Sequence, residues 1–374
     1  MYHYVSRFTG PINVTPDHFE QHCRGMAEHG WRGIGLDEAE AYLRGETALP
    51  RKSVLITFDD GFLDNMVYAA PILEKYGHQG TVFAVTQRIE PAGAIRPTVA
   101  DVWKGQIKAA DLPPVDAPLA RHPLGYDYRR DLFMNWAEAR ILEQRGVMRI
   151  AAHTARHLAV FAGPEFPARR TGADRSSFDQ AAARFHIPGR RGNTFYQLEA
   201  DVPWGLPRFA EQPAMAGRAF LPSAPLVRAI RELVPQDKAS AHAFFRQTAN
   251  VEALHDLVAT YNREARGVME SEAEQRVRVR NELTQCRNTL ENELGHPVRS
   301  LCWPWGRAAA IAREEARALG FSVFFETAPG ANPSGKAAAV RRFKVRDKAW
   351  PWLRLRLEIY SRPLAAGLYA GLHG

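Results

Sequence analysis

Cysteine is scarce in this chain: Cys23, Cys286 and Cys302 are the only three in 374 residues. An odd, widely spaced set excludes a disulfide framework and fits a reducing compartment, and no pair has zinc-ribbon spacing. No apolar run approaches the roughly 20 residues needed to cross a bilayer. The first residues, Met1-Tyr-His-Tyr-Val, lack the basic stretch and apolar run of a secretory signal. The expected location is therefore cytoplasmic, or peripheral at the inner membrane face. Internal repeats and low-complexity tracts are also missing.

Apolar residues make up 45% of the chain, enough for a sizeable core and too many for wholesale disorder. The length suits one large α/β domain with insertions, or two ordinary domains. The formal charge is +8 and is uneven. Residues 341–374 hold eight basic residues against Asp347 and Glu358, so six of those charges lie in the last 34 residues. Such a tail is either a solvated face or a surface for anionic headgroups, lipid-phosphate-linked sugars or nucleic acid. Between Trp350 and Leu372 the tail mixes Trp, Leu and Tyr with Arg, as interfacial helices do. Leu353, Leu355, Leu357 and Ile359 also alternate, as in a strand packed on the fold.

Residues 1–5 read as a strand, and Thr15-Pro16 opens a helix to about Glu28. Strands are expected over 50–58, 81–86, 147–152, 298–303 and 322–326. Helices are expected over 63–76, 136–145, 271–294 and 308–319. Ser271 with Glu274 makes a capping box, and Gly295 stops that helix. Strand, helix, strand is βαβ organisation. Two insertions interrupt it. One covers about 88–135. The other covers about 158–270, loop-like to 225 and helical beyond. The second carries Arg169, Arg170, Arg175, Arg184, Arg190 and Arg191, a set suited to carboxylates or phosphates.

Three segments carry chemistry. In Val54-Leu-Ile-Thr-Phe-Asp59-Asp60-Gly61 an apolar run meets two adjacent carboxylates. A regular buried strand sends neighbours to opposite faces, so the strand is expected to break at the acids, with Gly61 supplying the freedom. His153 and His157 follow the strand 147–152, four residues apart. Two His and a carboxylate emerging at strand ends are a common catalytic zinc set, which makes Asp60, His153 and His157 candidate metal ligands. His18 and His22 share the spacing inside the first helix and read as ordinary surface. Leu301-Cys-Trp303-Pro304-Trp305-Gly306 is a strand ending in a turn whose backbone N–H groups can face a site.

Together these segments resemble the polysaccharide deacetylase family of carbohydrate esterases, the NodB-homology type. Thr57-Phe58-Asp59-Asp60-Gly61 matches its first motif and His153-Thr154-Ala155-Arg156-His157 its second. Trp303-Pro304-Trp305-Gly306 resembles the Trp-Pro-Tyr-Gly form found in the poly-N-acetylglucosamine deacetylase branch. The resemblance implies a distorted (β/α)7 barrel and a hydrolase removing N-acetyl groups from a polysaccharide or a lipid-linked glycan precursor. It implies Asp60, His153 and His157 on a divalent metal, zinc by default with nickel or cobalt as alternatives. Asp59 would be the general base, the Trp305 N–H an oxyanion donor, and Trp303, Pro304 and Trp305 the substrate contacts. The implied partner is an N-acetylated saccharide, anionic or lipid-linked species included; the composition of 341–374 adds peripheral membrane contact as an alternative to packing on the barrel, and no nucleic acid is expected.

Two family features are missing. Where many members carry a base-orienting Arg, two residues before the motif proline, this chain has Cys302, and Arg299 is out of register. The late Leu-x-His that supplies a general acid is not evident. Leu372-His373 reads as a frayed end, which leaves a His or Asp of an insertion, or His3. These departures motivate an alternative: a catalytically impaired glycan-binding or scaffolding protein.

Overall fold

Five apolar segments pair side by side in parallel: β1 (Ile56–Asp60), β2 (Gly80–Ala84), β3 (Met148–Ala152), β4 (Ser300–Cys302) and β5 (Val323–Phe325). Their order is β5-β4-β3-β2-β1. Both faces are covered, so every strand residue except the half-buried Arg149 is buried, with no alternation of buried and exposed positions. The computed structural model describes residues 1–373 apart from 9, 11, 92, 117–118, 123–124, 129, 167–175 and 188–201.

Helices connect the strands, as expected. Between β1 and β2 the chain starts as a π-helical stretch, Asn65–Ala69, and continues as Ala70–Lys75. Trp136–Gln144, Glu272–Leu294 and Ala310–Ala318 make the later crossovers. Local chemistry sets their ends. The Ser271 side chain accepts from the Glu274 N–H, Glu274 reaches back, and Gly295 stops the helix in the left-handed region. Thr15 caps Pro16–Glu28 in the same way, accepting from the His18 N–H.

Two irregular segments close the curl. Tyr2 bridges Phe58 beside β1: its N–H donates to Thr57 O at 2.7 Å, and the Asp59 N–H donates to Tyr2 O at 3.0 Å. Val340 bridges Phe325 beside β5. The Met1 nitrogen donates to Phe343 O at 2.8 Å and the Val345 N–H to Met1 O at 3.0 Å, which joins the segments. The expected distorted (β/α)7 barrel is present as five regular strands and two positions that each hold a single bridge.

Several local expectations need correction. Strand pairing does not stop before the acids: Asp59 stands opposite Phe83 and Asp60 opposite Ala84. The basic tail is neither a strand nor merely solvated. Trp350–Tyr360 is a helix, and its Leu353 and Leu357 are buried in the barrel core. The apparent alternation loses to the helical spacing of those two leucines. His22 is fully buried, its Nδ1 3.1 Å from Tyr2 Oη and its Nε2 2.7 Å from Lys348 O. The surface reading fails because His22 lies on the inner face of its helix with Phe19 and Cys23.

Residues 88–135 put Ile89, Val115 and Met134 into the barrel core and hold a hairpin, Leu119–His122 with Gly125–Tyr128. The later segment builds a second core of its own from residues between Phe161 and Val258. The helices Ala224–Leu233, Lys238–Phe245 and Thr248–Thr260 frame it. Of the arginines singled out there, Arg184 is buried. Arg169, Arg170, Arg175, Arg190 and Arg191 lie outside the described residues.

Candidate active site

The register brings Asp60, Ala84, Ala152 and, one position further, Cys302 to a common rim at the C-terminal ends of their strands. Loops leaving this rim carry every motif. Regular alternation would send Asp60 to the side of Phe58, against the outer helices. Its φ of +82°, followed by +83° at Gly61, breaks that alternation. Asp60 Oδ1 lies 3.7 Å from His153 Nε2 and 3.7 Å from His157 Nε2. All three side chains are buried.

His153 and His157 leave β3 on a loop with Thr154 at φ +66° and His157 at +55°. The Thr154 hydroxyl accepts the His157 N–H at 3.1 Å. Trp305 stands at +53° on the neighbouring loop. Of five non-glycine residues with positive φ among the described residues, only Lys52 is outside this rim. Such conformations persist where surrounding structure enforces them, and they gather at functional sites. Gly306 (φ +71°) is obligatory for the turn: a Cβ there would stand 2.2 Å from Thr327 Oγ1 and 2.5 Å from the Thr327 nitrogen.

The donor chemistry fits a divalent ion. Ligand atoms of Asp60, His153 and His157 lie within 4.8 Å of one another. Around a tetrahedral ion with bonds of about 2.0–2.1 Å, neighbouring ligand atoms stand about 3.3 Å apart, close to the 3.7 Å separations here. His153 Nδ1 lies 2.8 Å from Cys302 O, so it carries the proton and leaves the Nε2 lone pair toward Asp60. Burial, with His153 and Arg88 nearby, pushes the His157 imidazole well below its usual range, so it is neutral as a ligand must be. Asp59, His153 and Cys302 also form a close triplet. Its centre is served by a cation already, because Arg342 bonds to both Asp59 and Cys302.

Arg342 is the residue that sequence reasoning missed. Its Nη1 donates to Asp59 Oδ1 at 2.6 Å and its Nη2 to Asp59 Oδ2 at 2.9 Å. Burial raises the Asp59 carboxyl, but Arg342 and then His153 outweigh it and hold the group well below the usual carboxylate range. Removing one member of such a buried pair typically costs about 3–5 kcal/mol. The only sequence signal was an Arg in a basic tail. His3 lies close enough to Asp59 and Asp60 to feel both charges, and its Nδ1 is buried with no hydrogen-bond partner.

The aromatic turn divides. Trp303 is fully buried and stacked on Phe324 (5.6 Å, 7°), and Pro304 is buried as well. Of the three expected substrate contacts, Trp303 belongs to the barrel core and Trp305 alone is exposed. Trp305 is 40% exposed, its ring 4.2 Å from that of His157.

Residues 46–179 match the family model described as polysaccharide deacetylase. The chain is 36% identical over 89 residues to YxkH of Bacillus subtilis (strain 168), a protein named provisionally as a polysaccharide deacetylase. That match covers 24% of this chain, which spans about a third (32%) of the length of that curated relative. Among solved structures it is similar to a de-N-acetylase from Aggregatibacter actinomycetemcomitans, with 16% identity, 95% of this chain and 97% of that one covered, and a TM-score of 0.56. It is similar to the BpsB deacetylase domain from Bordetella bronchiseptica, with 20% identity, coverages of 91% and 88%, and a TM-score of 0.51. IcaB from Ammonifex degensii gives 16%, coverages of 96% and 94%, and 0.51. At these identities the structural likeness is one of fold.

Proposed function

We propose, for a chain that carries a polysaccharide deacetylase domain, that it hydrolyses N-acetyl groups of an N-acetylated sugar in a polysaccharide or a lipid-linked glycan precursor. The observation that carries this reading is the convergence of Asp60, His153 and His157 beside a separate, ionised carboxylate, Asp59. A divalent ion on those three, zinc by default with nickel or cobalt as alternatives, would polarise the acetamide carbonyl and make its water more acidic.

The chain's own residues supply the rest. Asp59 stands outside the ligand triplet and accepts the proton of the attacking water. The Trp305 N–H donates to the oxyanion that develops on the carbonyl oxygen. His3 is the candidate donor to the leaving sugar nitrogen, as the imidazole outside the ligand triplet that faces both acids, with burial holding it below its usual range. The exposed Trp305 indole offers a flat apolar face to a sugar ring. The alternative, an impaired glycan-binding protein, was motivated by a missing arginine and a missing general acid. Arg342 at Asp59 favours the enzyme.

The test is acetate release from N-acetylglucosamine oligomers after loading with zinc, nickel or cobalt. Asp59→Asn should keep the metal, measured as metal per chain, and lose roughly 10²–10⁴-fold in rate. Saccharide binding without acetate release under every metal would instead support the glycan-binding reading.

A further inference from the structure

We propose that Glu282, on the helix Glu272–Leu294, is a positioning residue for the metal site: through Arg156 it holds residues 153–157 in the conformation that turns both imidazoles toward Asp60. This rests on reading Asp60, His153 and His157 as metal ligands.

The loop needs outside support to keep its shape. Residues 153–157 form no helical turn, so a regular backbone ladder does not set the spacing of the two imidazoles. Thr154 and His157 both stand left-handed, and for a β-branched residue such as Thr154 that state is an outlier. A stretch of this kind persists only where its surroundings over-determine it. The segment leaving β2 supplies one side. The Thr86 and Gln87 N–H groups donate to Thr154 O at 3.3 Å and to Ala155 O at 2.9 Å, and Arg88 Nη2 donates to Arg156 O at 3.2 Å. Three successive carbonyls of the loop are thereby held.

Glu282 supplies the other side. Its Oε1 accepts the Arg156 backbone N–H at 2.7 Å and its Oε2 accepts Arg156 Nε at 2.8 Å. One carboxylate so grips both the backbone and the side chain of the residue that precedes His157. Bonds from a charged group to a charged partner are short and directional. The inner face of this helix is otherwise built from Val279, Leu283, Cys286 and Leu290, where an acid is costly unless it is bonded. Glu282 is 2% exposed and bonds the loop from that face. Cys286, one turn on and on the same side, lies against Thr86 and the backbone of His153 and Thr154. The loop is therefore clasped between the β2 exit and one helix face.

Zinc affinity of the full chain, read by competition with a chromophoric chelator, tests this in Glu282→Ala, Glu282→Gln, Arg156→Met and a control, Glu315→Gln. Glu315 is as buried as Glu282 but is bonded by Arg276 and Arg280 instead. Glu282→Ala should weaken zinc binding by about 10–100-fold, as loss of a group that orients metal ligands does. Glu282→Gln keeps an acceptor for the Arg156 N–H and should lose less. Glu315→Gln should stay within about twofold of wild type, since it orients no ligand. Glu282→Ala within about twofold of wild type overturns the proposal, and so does a control that weakens zinc as much as Glu282→Gln. Should Glu282→Ala not fold, a double-mutant cycle on zinc affinity between Glu282→Gln and Arg156→Met decides: coupling supports the clasp, and additivity overturns it. A wild type that takes up no zinc, nickel or cobalt overturns it together with the metal reading. One that binds metal and releases no acetate overturns the deacetylase reading alone.

Discussion

At the scale of single residues, the site depends on backbone states that most side chains avoid. Asp60, Thr154, His157 and Trp305 all stand left-handed, and Gly306 stands where any Cβ would collide with Thr327. Gly306→Ala is expected to cost at least about 1 kcal/mol in denaturant unfolding and to lower acetate release by displacing Trp305. Zinc at 100 times its Kd should stabilise the wild type by about 2.7 kcal/mol, read as a rise in Tm, and should not stabilise Asp60→Ala. The residues themselves were legible in sequence because each sits in a short local pattern: two acids after an apolar run, or two His after a strand. Arg342 was not, since its partner Asp59 is 283 residues away and nothing around it repeats a motif. His22 misled for a related reason: its spacing from His18 says nothing about which face of the helix is buried.

At the scale of elements, ends were easier to read than edges. Ser271, Glu274 and Gly295 bound the long helix where sequence put them, because caps are made by neighbours. The strands at the seam were hard to read because one bridge each leaves no periodic signature. The contact between the helix Pro16–Glu28 and the segment leading into Trp350–Tyr360 is also titratable. Burial lowers His22 to about 4, and its bond to Lys348 O opposes that only in part. A folded-state value below the unfolded 6.5 means that stability is fully present above pH 6.5 and is lost as pH falls toward 4. The shift corresponds to roughly 3 kcal/mol. His22→Gln should therefore show a flatter dependence than wild type in urea midpoints measured between pH 7 and 4.5. Parallel curves for the two proteins would show that His22 does not link this contact to pH.

At the scale of the whole molecule, no helix among the described residues is long and apolar enough to cross a membrane. Leu364 (87% exposed) and Leu368 (75%) nevertheless stand out of Pro363–His373, which follows the exposed Arg362 and a helix carrying the exposed Arg354. A peripheral contact through this face predicts co-sedimentation with anionic phospholipid vesicles, weakening with salt and lost in Leu364→Glu/Leu368→Glu. Equal recovery of wild type and variant would remove that contact from consideration. The parallel α/β organisation was legible because βαβ spacing recurs along the chain, and its closure into a barrel followed from the family resemblance of the three motifs. The second core between Phe161 and Val258 was not, because its apolar residues come from helices and hairpins with no shared period.

The seam has a consequence for how the protein comes into being. Asp59 and Arg342 are 283 residues apart, so at roughly 5–20 residues per second the carboxylate is synthesised about 14–57 s before its guanidinium. Once residue 157 has been added, the nascent chain holds all three candidate ligands, Asp60, His153 and His157, while Arg342 is still 185 residues away (342 − 157). The buried charge on Asp59 thus gains its counter-charge only near the end of synthesis, and a chain released early would leave that carboxylate unpaired.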